Sequence, residues 1–264
     1  MDRLFQEGAS GRRRFLDRLV WALEPAHARE VAAHDHAMAG RNRLLSEGRG
    51  DRAGKRAEPG WLDALEEQMA RHAVAAVASR RALSRRLNTV LAERGPLGAF
   101  PAARLDLICP IASALEAEPA LAVEDALRAR LVQNRRRDAA AGGAAEGAHR
   151  TDMTMVHLEK NQPAALCSTG EQKALLIATV LAHAALIAEA RGFAPLLLLD
   201  EVAAHLDQRR REALFAALAA LPAQSFLTGT DIGVFGPLSG LAEGFTAAAG
   251  RLNFIAGFGV PKPA

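Results

Sequence analysis

The sequence has no tyrosine, only two cysteines, and only four lysines among its 33 basic residues. Two cysteines, Cys109 and Cys167, are too few for the disulfide framework of a small secreted domain. Aromatic residues make up 5% of the chain, which leaves little material for a platform on which bases could stack. No long uncharged apolar run is present either: the longest, residues 174–187, has 14 residues and contains His183. A bilayer needs about 20. Near the N-terminus, Glu7 and Arg12-Arg13-Arg14 interrupt any secretory core segment. These absences lead to the expectation of a soluble, cytoplasmic protein with no membrane partner.

What is present suits a globular fold. Of the 264 residues, 50% are hydrophobic and 24% charged, near the averages for folded domains. The charge is uneven. Residues 1–150 hold 25 Lys and Arg against 20 Asp and Glu, whereas residues 151–264 hold 8 against 10. Arginine forks onto phosphate oxygens, so the basic half is a candidate for nucleic-acid contact. An Arg- and Ala-rich composition is also what a skewed genomic base composition would give.

The two halves differ in period. From Gly11 to Arg137 the apolar residues recur at helical spacing, as in Phe15, Leu16, Leu19, Val20 and Leu23. Further helices are expected over 26–47, 61–91 and 124–137, the third with an outer face carrying Arg80, Arg81, Arg85 and Arg86, and a short strand over 105–110. Residues 139–147, rich in Ala and Gly, read as a linker or loop. His34 and His36 read as solvated histidines on a helix face, without the spacing of a zinc site.

In the second half, a helix over 171–191 is followed by Leu196-Leu197-Leu198-Leu199, a short apolar run that predicts a strand buried on both faces. A helix over 208–219 and a strand over 225–227 complete a βαβ unit and imply a parallel sheet. Ligands of such sheets bind beyond the carboxyl ends of the strands. Asp200 and Glu201 follow the first strand; Thr228, Thr230 and Asp231 follow the second. Adjacent carboxylates there can divide two tasks of nucleotide hydrolysis, one serving Mg2+ and one polarising the attacking water; capping a turn is the alternative reading. Upstream, Ser168 and Glu171 have the spacing of a capping box, and a helix N-terminus of small residues is also an anion site. Cys167 stands just before it, where a helix terminus could lower a thiol pKa.

Cys167-Ser168-Thr169-Gly170-Glu171-Gln172-Lys173 resembles the signature motif of ABC-type ATPases, and Leu196 to Asp207 resembles their Walker B strand and D-loop. More specifically, these blocks resemble the RecF family of bacterial recombination mediators, together with Leu227-Thr228-Gly229-Thr230-Asp231, Arg13 to Arg18, Arg41-Asn42 and His149-Arg150-Thr151-Asp152. The resemblance implies an α/β, helix-rich fold: a helical arm over 1–145 and the C-terminal part of a P-loop ATPase head over 146–264. It implies ATP and Mg2+ as cofactors, with Asp200 holding the metal through water and Glu201 orienting the hydrolytic water. Ser168, Thr169, Gly170 and Gln172 would meet ATP held by the other subunit of a homodimer. Asp207 would lie at that interface, and Thr228 or Thr230 would hold the switch position. The implied role is in DNA repair, recombination and replication and the SOS response, by ATP-dependent binding to single-stranded or gapped DNA that helps RecO and RecR load RecA. The alternative is a non-catalytic DNA-binding remnant.

One departure stands out. Gly50 to Arg56 fails the P-loop pattern, with Arg49 where a glycine is required and Arg56 where Ser or Thr is required. The chain thus resembles the last two-thirds of a family member, as a misplaced start or a truncated gene would give. Alone it is expected to expose apolar strand surface and to be poorly soluble.

Overall fold

In the computed structural model, residues 4–47, 59–92 and 99–258 are described. The Gly50–Arg56 stretch lies outside them. The chain forms two compact units, one of residues 1–89, 104–156 and 161–165 and the other of residues 90–103, 157–160 and 166–264.

The first unit is mainly helical. Its long elements are α1 (Ala9–Leu23), α2 (Ala26–Glu47) and α3 (Pro59–Ala92, all but its last turn). A strand β1 (Ala103–Ile108) leads into α4 (Pro110–Ala117), α5 (Ala120–Gln133) and α6 (Arg135–Ala141). Strands β2 (Asp152–His157) and β3 (Gln162–Pro163) complete a three-stranded sheet in the order β1-β2-β3. Met69, Ala73 and Val77 of α3 recur every four residues and meet Val123, Leu127 and Leu131 of α5 in one buried cluster. The helices expected over 26–47 and 61–91 are found; the single helix expected over 124–137 is instead two, α5 and α6, meeting at Asn134, and the strand expected over 105–110 runs from Ala103 to Ile108, with Pro110 already opening α4. Residues 139–147 are more than a linker: Ala144 is buried in the same core, and its neighbour Ala145 donates its N–H to Asp138 at 3.1 Å.

Charge is buried in this unit. Arg41 on α2 is fully buried and forks onto Glu66 at 2.9 Å and Asp138 at 2.8 Å, with a third bond to the Leu131 carbonyl. Arg135 at the start of α6 bonds Glu66 and Asp63. Arg80 corrects the expected outer face: it is buried, and clamps Asp17 at 2.7 and 3.0 Å while donating to Thr151 Oγ1 at 3.0 Å. Helical spacing alone cannot separate Arg80 from Arg81. The carboxylate that draws Arg80 inward is 63 residues away.

His34 corrects the reading of solvated histidines, since it is buried and stacks on His149 with ring centroids 5.5 Å apart; His36 is exposed. Gly147 makes this possible. With φ +139° it has a conformation open to glycine, and a Cβ there would lie 2.7 Å from His34 Nε2 and 2.9 Å from His149 Nδ1.

The second unit is built on α7 (Thr169–Arg191), β4 (Leu197–Leu199), α8 (Gln208–Ala220) and β5 (Ser225–Leu227), followed by a hairpin of β6 (Phe245–Ala248) and β7 (Arg251–Phe254). By length and hydropathy α7 could cross a bilayer, but twelve of its residues are buried within the protein, as in a core helix. Strands β4 and β5 pair in parallel, Leu197 opposite Ser225 and Leu199 opposite Leu227, so the βαβ expectation holds. Burial on both faces does not. Leu197 and Leu199 are buried, whereas Leu198 is 73% exposed and Leu196 and Phe226 also face solvent. A two-stranded sheet with one covered face leaves alternate side chains outside.

Candidate nucleotide-handling site

Asp200 follows β4 directly, and Thr228 follows β5. The parallel register brings them level, because the Thr228 N–H continues the ladder by donating to the Leu199 carbonyl at 3.1 Å. Thr228 Oγ1 then donates to Asp200 Oδ1 at 2.5 Å and accepts from the Glu201 N–H at 3.1 Å. One hydroxyl thus ties together both carboxylate-bearing residues. Glu201 has φ +48° and ψ +25°, a left-handed conformation that costs a non-glycine residue about 1–2 kcal/mol. The Thr228 bond to its N–H helps to hold it, and such outliers concentrate at functional sites.

Residues 202–205 make a single 3-10 turn, and Asp207 then caps α8, its Oδ1 accepting from the Arg210 N–H at 2.8 Å. Arg210 also pairs with the Asp207 side chain at 3.5 Å, so the Arg209–Arg211 triplet is partly engaged within its own helix. Thr230 lies exposed in the loop two residues beyond Thr228. Asp231 accepts from the Gly233 N–H at 2.8 Å.

The capping box is formed as expected. Ser168 Oγ accepts from the Glu171 N–H at 3.4 Å, and Glu171 Oε2 accepts from the Ser168 N–H at 3.0 Å. Lys160 Nζ lies 2.5 Å from Glu171 Oε1. That bond, with the two from Ser168, pulls the Glu171 carboxyl down to about 2. Gln172 is buried and donates to the Cys167 carbonyl at 3.0 Å. Space is open in front of Gly170, where an added Cβ would meet nothing within 4 Å. Cys167 departs from the expectation of a lowered pKa: burial, then the charge of Glu171, pushes its thiol up.

Asp200, Glu201 and Thr228 are therefore joined by hydrogen bonds, while Ser168, Thr169, Gly170 and Gln172 gather at the start of α7. Asp200 Oδ2 has no protein partner among the described residues. A hard cation that keeps most of its waters suits such a lone carboxylate, so the donor set fits Mg2+ held through water. The open N–H groups of Thr169 and Gly170 at the start of a 23-residue helix suit a phosphate oxygen. Among the described residues there is no cluster of three or more metal-ligating side chains.

One set of strong bonds in the helical unit was not foreseen from the sequence. Arg12 forks onto Asp152 at 2.8 and 2.6 Å, and Arg13 donates to the Thr151 carbonyl at 3.0 Å. These bonds join the Arg13–Arg18 and His149–Asp152 blocks, whose likeness to a family gave no hint that they touch.

No protein-family model matches the chain. Curated proteins do: it is 50% identical over 256 residues to the DNA replication and repair protein RecF of Brucella abortus, a match covering 97% of this chain and 65% of that protein. The chain is RecF-like over nearly all of its length. The RecF of Rhizobium rhizogenes is 48% identical over 253 residues, again covering 96% of the chain and 65% of the relative. The chain thus spans just under two-thirds of the RecF proteins it matches, corresponding to a C-terminal portion of them. Solved structures of the recombination mediator protein RecF in the RecFOR pathway have the same fold. The RecF-ATPrS form has a TM-score of 0.77 at 19% identity, covering 97% of this chain and 66% of that one. The RecF-ATP form gives 0.74 at 18%, covering 96% and 66%. The fold class expected from the sequence, α/β and rich in helix, is the one found.

Proposed function

We propose that the chain is the signature-motif and Walker B portion of a RecF-like ATPase head, residues 146–264, joined to a helical arm, residues 1–145. It serves a cytoplasmic recombination mediator that acts in DNA repair and replication. The observation that carries this is the cluster at the strand ends, Thr228 joined to both Asp200 and the Glu201 backbone, in a chain 50% identical to RecF.

In this reading Asp200 would hold Mg2+ through water at its unengaged oxygen, and Thr228 fixes which oxygen that is. Bound Mg2+ would neutralise charge on the nucleotide phosphates. Glu201, held in its left-handed turn, presents its carboxylate beside Asp200 to orient the attacking water. Ser168, Thr169, Gly170 and Gln172 contribute from the start of α7 to ATP held by a second subunit. Asp207 stands at the subunit interface, and Thr228 or Thr230 serves as the switch residue. No stretch of this sequence fits the P-loop pattern, so the reading requires a P-loop supplied from elsewhere. The partners of the reading are single-stranded or gapped DNA, RecO and RecR, with RecA as the protein loaded and an ATP-dependent homodimer as the active form.

The test is Glu201→Gln in the full-length native protein. Hydrolysis should fall by about 100-fold or more, in keeping with the loss of a positioned catalytic base, and ATP should hold the protein as a dimer in sedimentation. Unchanged hydrolysis removes Glu201 from its role.

A further inference from the structure

Two buried nitrogens of the helical unit converge on one point without a hydrogen-bond partner. His34 of α2 is 1% exposed, and its Nε2 bonds nothing among the described residues. The same holds for the buried Nδ1 of His149, in the turn before β2. A Cβ added to Gly147 would lie 2.7 Å from the first nitrogen and 2.9 Å from the second. No other atom of either ring comes as near to that point, so both rings turn a nitrogen towards it.

The far edge of each ring fixes what these nitrogens carry. His34 Nδ1 lies 3.1 Å from the Asp35 carboxylate, and His149 Nε2 lies 3.0 Å from the Ala144 carbonyl. Both partners only accept, so these two nitrogens hold the ring hydrogens. Burial pushes both imidazoles below the ordinary histidine pKa, which keeps a second proton off each ring. His34 Nε2 and His149 Nδ1 are therefore two lone pairs brought to one place. The arginines around them are engaged elsewhere: Arg80 on Asp17, Thr151 and the Ala148 carbonyl, Arg150 on the Ala144 carbonyl, and Arg13 on the Thr151 carbonyl. An anion would be repelled by the lone pairs. An electron-pair acceptor fits them.

An imidazole whose other N–H is held by a carboxylate or a backbone carbonyl is arranged as metal-binding histidines are. Two imidazoles that share one ion at about 2 Å have ring centroids about 5–6 Å apart, and the centroids here are 5.5 Å apart. No third His, Cys, Asp or Glu joins them among the described residues, which leaves Zn2+ short of its four ligands. The Met69 methyl carbon lies 3.1 Å from the same point, with its thioether sulfur one bond further away. Thioether and imidazole donors together suit Cu+. Charges acting on the two rings include Arg13, Arg80 and Arg150 against Asp35, a balance that penalises a doubly charged ion more than a singly charged one. We infer that His34 Nε2 and His149 Nδ1 form a site for a soft, singly charged transition-metal cation, Cu+, with the Met69 thioether beside it. The ion would tie α2 to the turn that leads into β2. This site is separate from the nucleotide-handling residues and does not depend on their role.

The experiment titrates the full-length native protein with Cu+ in oxygen-free, reducing buffer against a chromophoric chelator, for the parent and for three variants. The parent should bind one equivalent more than His149→Asn. Asp35→Asn changes an exposed side chain and should leave the fold intact while weakening that equivalent by about 10–100-fold, the usual effect of removing the partner of a metal-binding imidazole. His36→Asn, at an exposed histidine of the same helix, should leave it unchanged. In nitrogen-15 spectra the His34 Nε2 and His149 Nδ1 signals should move on adding Cu+, while the other nitrogen of each ring keeps its hydrogen. Equal stoichiometry and affinity in the parent, His149→Asn and Asp35→Asn would put the copper on Cys109, Cys167 or another histidine and overturn the inference. A parent that binds no Cu+ would also overturn it and leave the two lone pairs to a bridging water. Tighter binding of Zn2+ than of Cu+ at the same two nitrogens would overturn the choice of ion.

Discussion

The helical unit buries charges, whereas the βαβ unit exposes leucines. In the first, Arg41, Glu66 and Asp138 are almost wholly buried and joined by hydrogen bonds, and Arg80 is buried on Asp17 and Thr151. In the second, Leu196, Leu198 and Phe226 face solvent, and the β6–β7 hairpin leaves Phe245, Leu252 and Phe254 exposed along with Thr246, Arg251 and Asn253. The contrast teaches that composition does not decide burial here. A buried arginine is tolerated where every donor finds an acceptor, and an apolar strand stays exposed where too few strands lie beside it. The second unit presents surface of the kind that another polypeptide surface covers.

The largest expected effect breaks the ion network. Arg41→Met leaves Asp138 and part of Glu66 buried without their partner, and should cost about 3–5 kcal/mol, read as a shift of the denaturant midpoint for the first unit. A loss below about 1 kcal/mol, the scale of an exposed pair, would mean that Arg135 alone satisfies Glu66 and that the comparison overstates the network.

Next in size is a pH effect. Burial holds the His149 imidazole down at about 4, against an ordinary 6.5. Because the folded state disfavours the proton, this histidine's contribution is present above pH 6.5 and is lost as pH falls towards 4, by about 2 kcal/mol once its partial exposure is considered. His149→Asn should flatten the fall in stability over that window. An identical acid profile in the variant would show that the His34–His149 stack does not govern it.

The capping box should matter less. Ser168→Ala is expected to lose about 1 kcal/mol. Glu171→Gln should be destabilising at neutral pH, by an amount that shrinks as pH falls from 4.5 to about 2, where the parent carboxyl also becomes protonated. A difference independent of pH would mean that the Lys160–Glu171 bond adds nothing beyond the cap itself.

Smallest of all, Leu198→Thr combined with Phe226→Thr should change the stability of the chain by less than about 0.5 kcal/mol, as for exposed positions generally, while raising its solubility. A loss of several kcal/mol would show that this face is covered and that the contrast between the units is false.

The elements themselves were largely legible in the sequence. Period and terminators set α2, α7 and α8 to within a residue or two, and Leu-rich β4 and Ser225–Leu227 were found where apolar runs end in polar residues. The site was legible for the same reason: Asp200, Glu201 and Thr228 follow strands whose ends local sequence marks. What was not legible depended on distance along the chain. Arg41 meets Asp138 across 97 residues and Arg80 meets Thr151 across 71, and no local pattern tells a buried arginine from a solvated one. Leu198 failed in the opposite sense, because a continuous apolar run records the propensity for burial and not the presence of a neighbour. His34 became buried through Gly147, whose backbone conformation is not written in its own flanking residues.

The most direct measurement of the central claim is DNA affinity of the full-length native protein with and without ATP and Mg2+, repeated with Asp200→Asn. If Asp200, Glu201 and Thr228 are the metal- and water-handling end of a working nucleotide head, ATP should tighten DNA binding by about tenfold or more in the parent, within the usual range of coupling between two sites, and have no effect in the variant. Equal affinity with and without ATP in the parent would contradict the claim and leave a DNA-binding protein whose strand-end carboxylates only shape a turn.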